Sequence, residues 1–104
     1  MAQDDVIKLL QKYILLLKAS GVPVTKAFLY GSYARNEATE NSDIDVMLIS
    51  EVFDQNNDKI RAKAWMVTEK IDVRIEPCMI GLHKFLSDNV SPLLQSIKYE
   101  GIEI

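Results

Sequence analysis

Apolar residues recur over residues 6–17 with the spacing of one helix face: Val6, Leu9, Leu10, Tyr13, Ile14 and Leu17 fall at i, i+3, i+4, i+7, i+8 and i+11. Asp4 and Asp5 open that helix, and Gly21 with Pro23 stops it. The period then changes. Val24 to Tyr30 reads as a short strand ended by Gly31-Ser32, Asn36 to Ser42 is polar and loop-like, and Asp43 to Ile49 is a second, largely buried strand. A second helix is expected from about Asp54 or Asp58 to Lys70, with Ile60, Ala64 and Val67 facing inward. Ile71, Val73 and Ile75 alternate with Asp72, Arg74 and Glu76, which predicts a third strand over Ile71 to Glu76 stopped by Pro77. Ser91-Pro92 supplies an N-cap and first residue for a helix running through Leu94 and Ile97 to Tyr99. Gly101 closes it, and Gly101 to Ile104 adds a short edge segment. The elements predict an α/β (α+β) fold, a small mixed sheet of three to four strands with helices packed on one side.

The chain has 104 residues, which predicts a single domain over residues 1–104. That length buries roughly two-thirds of the unfolded surface, enough for one core without a separate substrate domain. Charge narrows the function further. Lys and Arg total 12 against 15 Asp and Glu, so the basic face that a strong nucleic-acid binder needs is not supplied in bulk. Cys78 is the single cysteine; it can form no internal disulfide and suits a reducing, cytoplasmic setting. Lys8, Gln11, Lys12 and Lys18 interrupt the first apolar stretch, making it an amphipathic helix and neither a membrane span nor a signal peptide. His83 is the one histidine, too few for histidine-based zinc chemistry, and is expected on the surface or packed beside a helix.

Two features within twenty residues carry chemistry. Asp43 and Asp45 lie two apart on a strand, so they share one face about 6.6 Å apart along the backbone, with Ile44 and Val46 on the other. Like charges so placed oppose each other's ionisation, and a hard cation bridging them removes the conflict. Mg²⁺ suits the place because it takes a carboxylate or two together with substrate phosphates, and a pair of such ions suits in-line displacement at phosphorus. Upstream, Gly31 permits a tight turn and close approach of a ligand to the backbone. Ser32 offers a hydroxyl and an N–H at the start of a short turn, where backbone donors favour anions. Arg35 stands where it can meet a phosphate or remain an exposed turn charge. A nucleoside triphosphate lying between turn and metal is the simplest ligand that satisfies both.

The run Gly31, Ser32, Ala34, Arg35, then Ser42, Asp43, Ile44, Asp45 and an apolar tail resembles the signature of minimal nucleotidyltransferases, small members of the superfamily that includes DNA polymerase β. The family commonly has glycine where this chain has Asn36, and asparagine also tolerates positive φ. The ending from Pro92-Leu93-Leu94 to Glu100-Gly101-Ile102 is similar too. The resemblance implies a third carboxylate on a neighbouring strand that completes the metal site and helps deprotonate an acceptor hydroxyl. Asp72, in Ile71-Asp72-Val73-Arg74, is the expected residue and Glu76 the alternative. Arg74, read on the same face, is expected to pair with Asp45 or Glu76.

The implied activity is Mg²⁺-dependent transfer of AMP from ATP, with Asp43, Asp45 and Asp72 as catalytic and metal residues and Gly31, Ser32 and Arg35 on the nucleotide. Without a substrate domain, the acceptor is expected on a partner. In this family the partner is commonly a small helical protein of the HEPN type, an RNase toxin whose tyrosine receives AMP from its antitoxin. Two other readings stand beside it. A binding antitoxin or scaffold would silence the partner by contact alone. A small-molecule transferase, acting for instance on an aminoglycoside, would need a homodimer to build its pocket.

Overall fold

The computed structural model describes all residues, Met1–Ile104. Its elements are α1 (Gln3–Ala19), β1 (Lys26–Tyr30), β2 (Ile44–Ser50), α2 (Asp58–Ile71), β3 (Ile75–Gly81), α3 (Leu82–Ser87), α4 (Pro92–Glu100) and β4 (Ile102–Glu103), with a single 3-10 turn at Glu51–Phe53. The strands form one mixed sheet in the order β3-β2-β1-β4. β1 is antiparallel to β2 and β4, whereas β2 and β3 run parallel, which requires the α2 crossover between them.

Side chains alternate across the sheet, so β2 feeds two cores. Ile44, Val46 and Leu48 join Leu29, Ile75 and the inward faces of α1 and α2 in the larger cluster. Met47 and Ile49 point the other way and meet Phe85, Leu94 and Ile97 of α3 and α4. One-sided packing therefore describes α1 and α2 only; the two shorter helices cover part of the opposite face. α1 and α2 are also tied by the buried Tyr13 hydroxyl, which donates to the Ala64 carbonyl at 2.7 Å. A buried hydroxyl without such a partner would cost about 1–3 kcal/mol. The C-terminal helix begins as the sequence predicts: Ser91 Oγ accepts from Leu94 N, with Pro92 at the first helical position.

The third strand departs from expectation. α2 continues through Ile71, because Ala64, Val67, Thr68 and Ile71 keep helical spacing on its inner face. Asp72 and Val73 then turn the chain, and Val73 is 78% exposed. Pairing begins only at Ile75 and runs past Pro77 to Gly81. Proline is tolerated there because β3 is an edge strand, where a nitrogen facing outward forfeits no ladder bond. α3 is an additional element, six residues long, beyond those the sequence pattern predicts. Its first turn is held by Asp54, whose Oδ2 accepts from His83 N at 3.1 Å.

Candidate active site

The segment from Tyr30 to Asp45 is the connection of an antiparallel hairpin, and its two ends meet because Tyr30 pairs with Asp45. The turn after Tyr30 closes on itself. Arg35 N donates to Gly31 O at 3.3 Å, Asn36 N to Tyr33 O at 3.3 Å and Glu37 N to Ser32 O at 2.9 Å. Asn36 takes the left-handed conformation (φ 55), as its substitution for glycine anticipates. The Tyr33 ring is buried in the main core with its hydroxyl unpartnered. Ser32, Tyr33 and Ala34 give their N–H groups to no protein acceptor. Three successive donors left free in a turn are of the kind that can bind an anion, and in that sense this is an anion-binding turn.

Gly31 adopts φ 77, and a Cβ there would collide with Asp45 Oδ2. The missing side chain is thus what lets the Asp45 carboxylate sit against the anion-binding turn. Across the sheet on the other side, Asp45 stands in register with Glu76 of β3. Asp43 lies one residue before β2 and, with Glu76, is exposed, while Asp45 is half-buried. Burial and then the Asp43 charge push the Asp45 carboxyl above its ordinary range, against a smaller opposite pull from Arg35. Glu76 is also pushed up, first by the Asp43 charge, then by desolvation and the Asp45 charge. Three acidic groups therefore share one patch of the face that α3 and α4 leave uncovered. Arg35, placed to feel Asp45, is exposed and bonded to Glu37 at 3.2 Å.

Asp72 lies elsewhere. It caps the C-terminal end of α2 and binds Arg74, which donates to it from Nη2 at 2.7 Å, from Nε at 3.0 Å and from its backbone N at 2.9 Å. These hydrogen bonds hold its carboxyl below the usual range. The expected pairing of Arg74 with Asp45 or Glu76 is not formed. The alternation of residues 71–76 does not make a strand, because the first half of that run belongs to a helix end and a turn. The geometry brings together Gly31, Ser32, Asp43, Asp45 and Glu76, and it sets Asp72 apart with Arg74. Transfer activity should discriminate the two carboxylates. Glu76→Gln is expected to lower it by about 10²–10³-fold, the loss typical of a group acting on transition-state charge. Asp72→Asn should stay within about tenfold of wild type and chiefly weaken the fold, since it removes an ion pair.

No three His, Cys, Asp or Glu side chains close into a ready-made metal cage. Mg²⁺ keeps most of its shell for water and phosphate oxygens and needs one or two carboxylates, a demand that the Asp43 and Asp45 pair could meet. The mutual repulsion of Asp43, Asp45 and Glu76 shows the donor set to be one that a divalent cation would relieve. None of the four clefts in the molecule touches these carboxylates. The largest, about 450 Å³, lies between α1 and the end of α2 and is lined by Lys8, Lys12 and Lys70 among others. The acidic patch is open surface.

Comparison with known proteins agrees with this picture. The family described as "Nucleotidyltransferase domain" matches residues 10–99. A Methanocaldococcus jannaschii protein named "Putative protein adenylyltransferase" is 43% identical over 54 residues, which span 52% of this chain and 50% of that one. The match thus spans about half the length of that relative. Among solved structures, a crystal structure named as that of a "putative nucleotidyltransferase" from Sulfolobus solfataricus superposes with a TM-score of 0.64. It shares 16% identity, covers 97% of this chain and 80% of its own, and so supports the fold.

Proposed function

Because this chain belongs to the nucleotidyltransferase domain family, we propose that it is an active transferase that adenylylates a hydroxyl on a partner protein. The proposed donor is ATP, and the proposed partner is a HEPN-type RNase toxin for which this chain is the antitoxin. The observation that carries the proposal is the open acidic patch directly beside the anion-binding turn. Such a surface offers a triphosphate a seat but encloses no small acceptor, so an acceptor presented on another macromolecule fits it best.

The free N–H groups of Ser32, Tyr33 and Ala34 and the Ser32 hydroxyl would hold the phosphates of ATP, with Arg35 released from Glu37 to meet them. Asp43 and Asp45 would hold Mg²⁺, with Glu76 beside them. The metal's contribution when bound is to neutralise phosphate charge and orient the α-phosphoryl group. The acceptor oxygen attacks the α-phosphorus, the bond from that phosphorus to the bridging oxygen breaks, and pyrophosphate departs with the electron pair. Glu76, on the strand beside Asp45, takes the hydroxyl proton. Catalysis of this kind rests on positioning and charge stabilisation.

The test is transfer from ATP labelled at the α-phosphate, with Mg²⁺, into proteins of the source cell's lysate. Label entering one small helical protein, on tyrosine, supports the proposal when it is absent with an Asp43→Asn/Asp45→Asn variant. No label, together with metal-independent association of both forms with a single partner, would overturn it in favour of an antitoxin acting by contact. No helix of the chain is long and apolar enough to cross a membrane.

A further inference from the structure

We propose that Gln3, in the first turn of α1, is a positioning residue for the nucleotide: it sets the direction of the Ala34 N–H, one of the groups proposed to receive the phosphates. The proposal rests on the nucleotide-binding reading of the Gly31–Asn36 turn. Gln3 Nε2 donates to Tyr33 O at 2.9 Å and to Ala34 O at 3.3 Å, across 30 and 31 residues of sequence. Only the nitrogen of the amide can serve two carbonyls, so its orientation is fixed by chemistry.

The side chain has no competing duty at the helix start. The N-cap of α1 is Ala2, and no side chain caps that end. Gln3 is half-buried and spends its donors on the turn instead. Every peptide bond in the chain is trans. In a trans peptide the C=O and the following N–H point in opposite directions. A Tyr33 carbonyl drawn toward α1 therefore aims the Ala34 N–H away from it. An Ala34 carbonyl held the same way aligns the Arg35 N–H, which then closes the turn onto Gly31 O at 3.3 Å. The Tyr33 ring, buried in the main core, fixes the same peptide from beneath. Ring and amide together hold the Ala34 donor in a direction that would otherwise have to be set by each arriving phosphate, at a cost to affinity.

Gln3→Ala removes the donor, and Gln3→Glu replaces it at nearly constant shape with an oxygen that faces two carbonyls. Three quantities decide the matter: the Kd of ATP with Mg²⁺ by calorimetry, KM and kcat for transfer, and backbone relaxation of the turn amides in nitrogen-labelled protein. Both variants are expected to raise Kd and KM about tenfold, the loss of one ordinary hydrogen bond. Their kcat should stay within about twofold of wild type, because the turn binds ground state and transition state alike. The Ala34 and Arg35 amides should become mobile. A variant that binds ATP as tightly as wild type, with unchanged turn amides, overturns the proposal. A wild type that binds no ATP overturns the nucleotide assignment itself, a result distinct from losses confined to the variants.

Discussion

Replacing Asp43 and Asp45 together by asparagine should abolish nucleotidyl transfer, by about a thousandfold or more, and at the same time make the protein harder to unfold by heat at neutral pH. The first effect follows from losing the carboxylates that would hold the metal beside the anion-binding turn. The second follows from the burial of Asp45 and from the repulsion already built into the patch. Asp45 and Glu76 have carboxyls raised above their ordinary values, so the folded chain holds their protons more tightly than the unfolded chain does. A raised carboxyl contributes stability below its unfolded value, about 4, and that contribution disappears as pH rises through the folded value. At neutral pH the ionised cluster is a net cost. Thermal unfolding across a pH series should show wild type losing stability as pH climbs out of the carboxylate range, with the variant flatter and higher. Asp72 has the opposite sign: its lowered carboxyl stabilises above the ordinary value and ceases to do so on acidification, in both proteins alike. Adding Mg²⁺ should raise the melting temperature of wild type only, because the variant lacks the two carboxylates proposed to hold the ion. A variant no more stable than wild type at neutral pH would show that the carboxylates are not strained against one another.

The other large effect belongs to Gly31→Ala. Its backbone stands at φ 77, which costs a non-glycine residue about 1–3 kcal/mol. The added methyl also meets Asp45 Oδ2 and drives that carboxylate off the turn. A displacement of order 1 Å at a reacting centre is worth about a hundredfold in rate. Transfer should fall by at least about that much, beyond anything explained by the fraction unfolded. Gly21→Ala is the matched control: Gly21 has φ 91 just past the end of α1, far from the carboxylates. It should cost comparable stability and leave transfer by the folded protein intact. Activity assayed well below the melting temperature of each variant separates the two. Equal losses of transfer in both would mean that Gly31 matters only for folding.

Much of this geometry was legible in the sequence because it is local. α1 follows from six apolar positions on one face, β1 and β2 from short apolar runs, and the α4 start from Ser91-Pro92. Gly31-Ser32 and Asp43-x-Asp45 announced themselves because a hairpin brings its own ends together. What could not be read was decided between elements. Ile71 satisfies both a helical and an alternating pattern, and packing against α1 settled it as helix, moving Asp72 out of the sheet and leaving Glu76 in it. Pro77 looked like a strand stop until the sheet order made β3 an edge. α3 is too short to show a period. Nothing in the sequence near Gln3 points to a turn 30 residues away.

The mixed sheet also sets an order of assembly. The hairpin of β1 and β2 contains the anion-binding turn, Asp43 and Asp45 within one contiguous stretch, and forms by pairing neighbours in the chain. Glu76 reaches Asp45 only through parallel pairing of β3 with β2, after α2 has been made and laid across the sheet. Parallel pairing at that sequence distance is slow compared with hairpin closure. A chain emerging from the ribosome would thus carry its phosphate seat and first two carboxylates before it has the residue proposed to take the proton. On this view the proposed chemistry waits for the crossover, the step that completes the acidic patch.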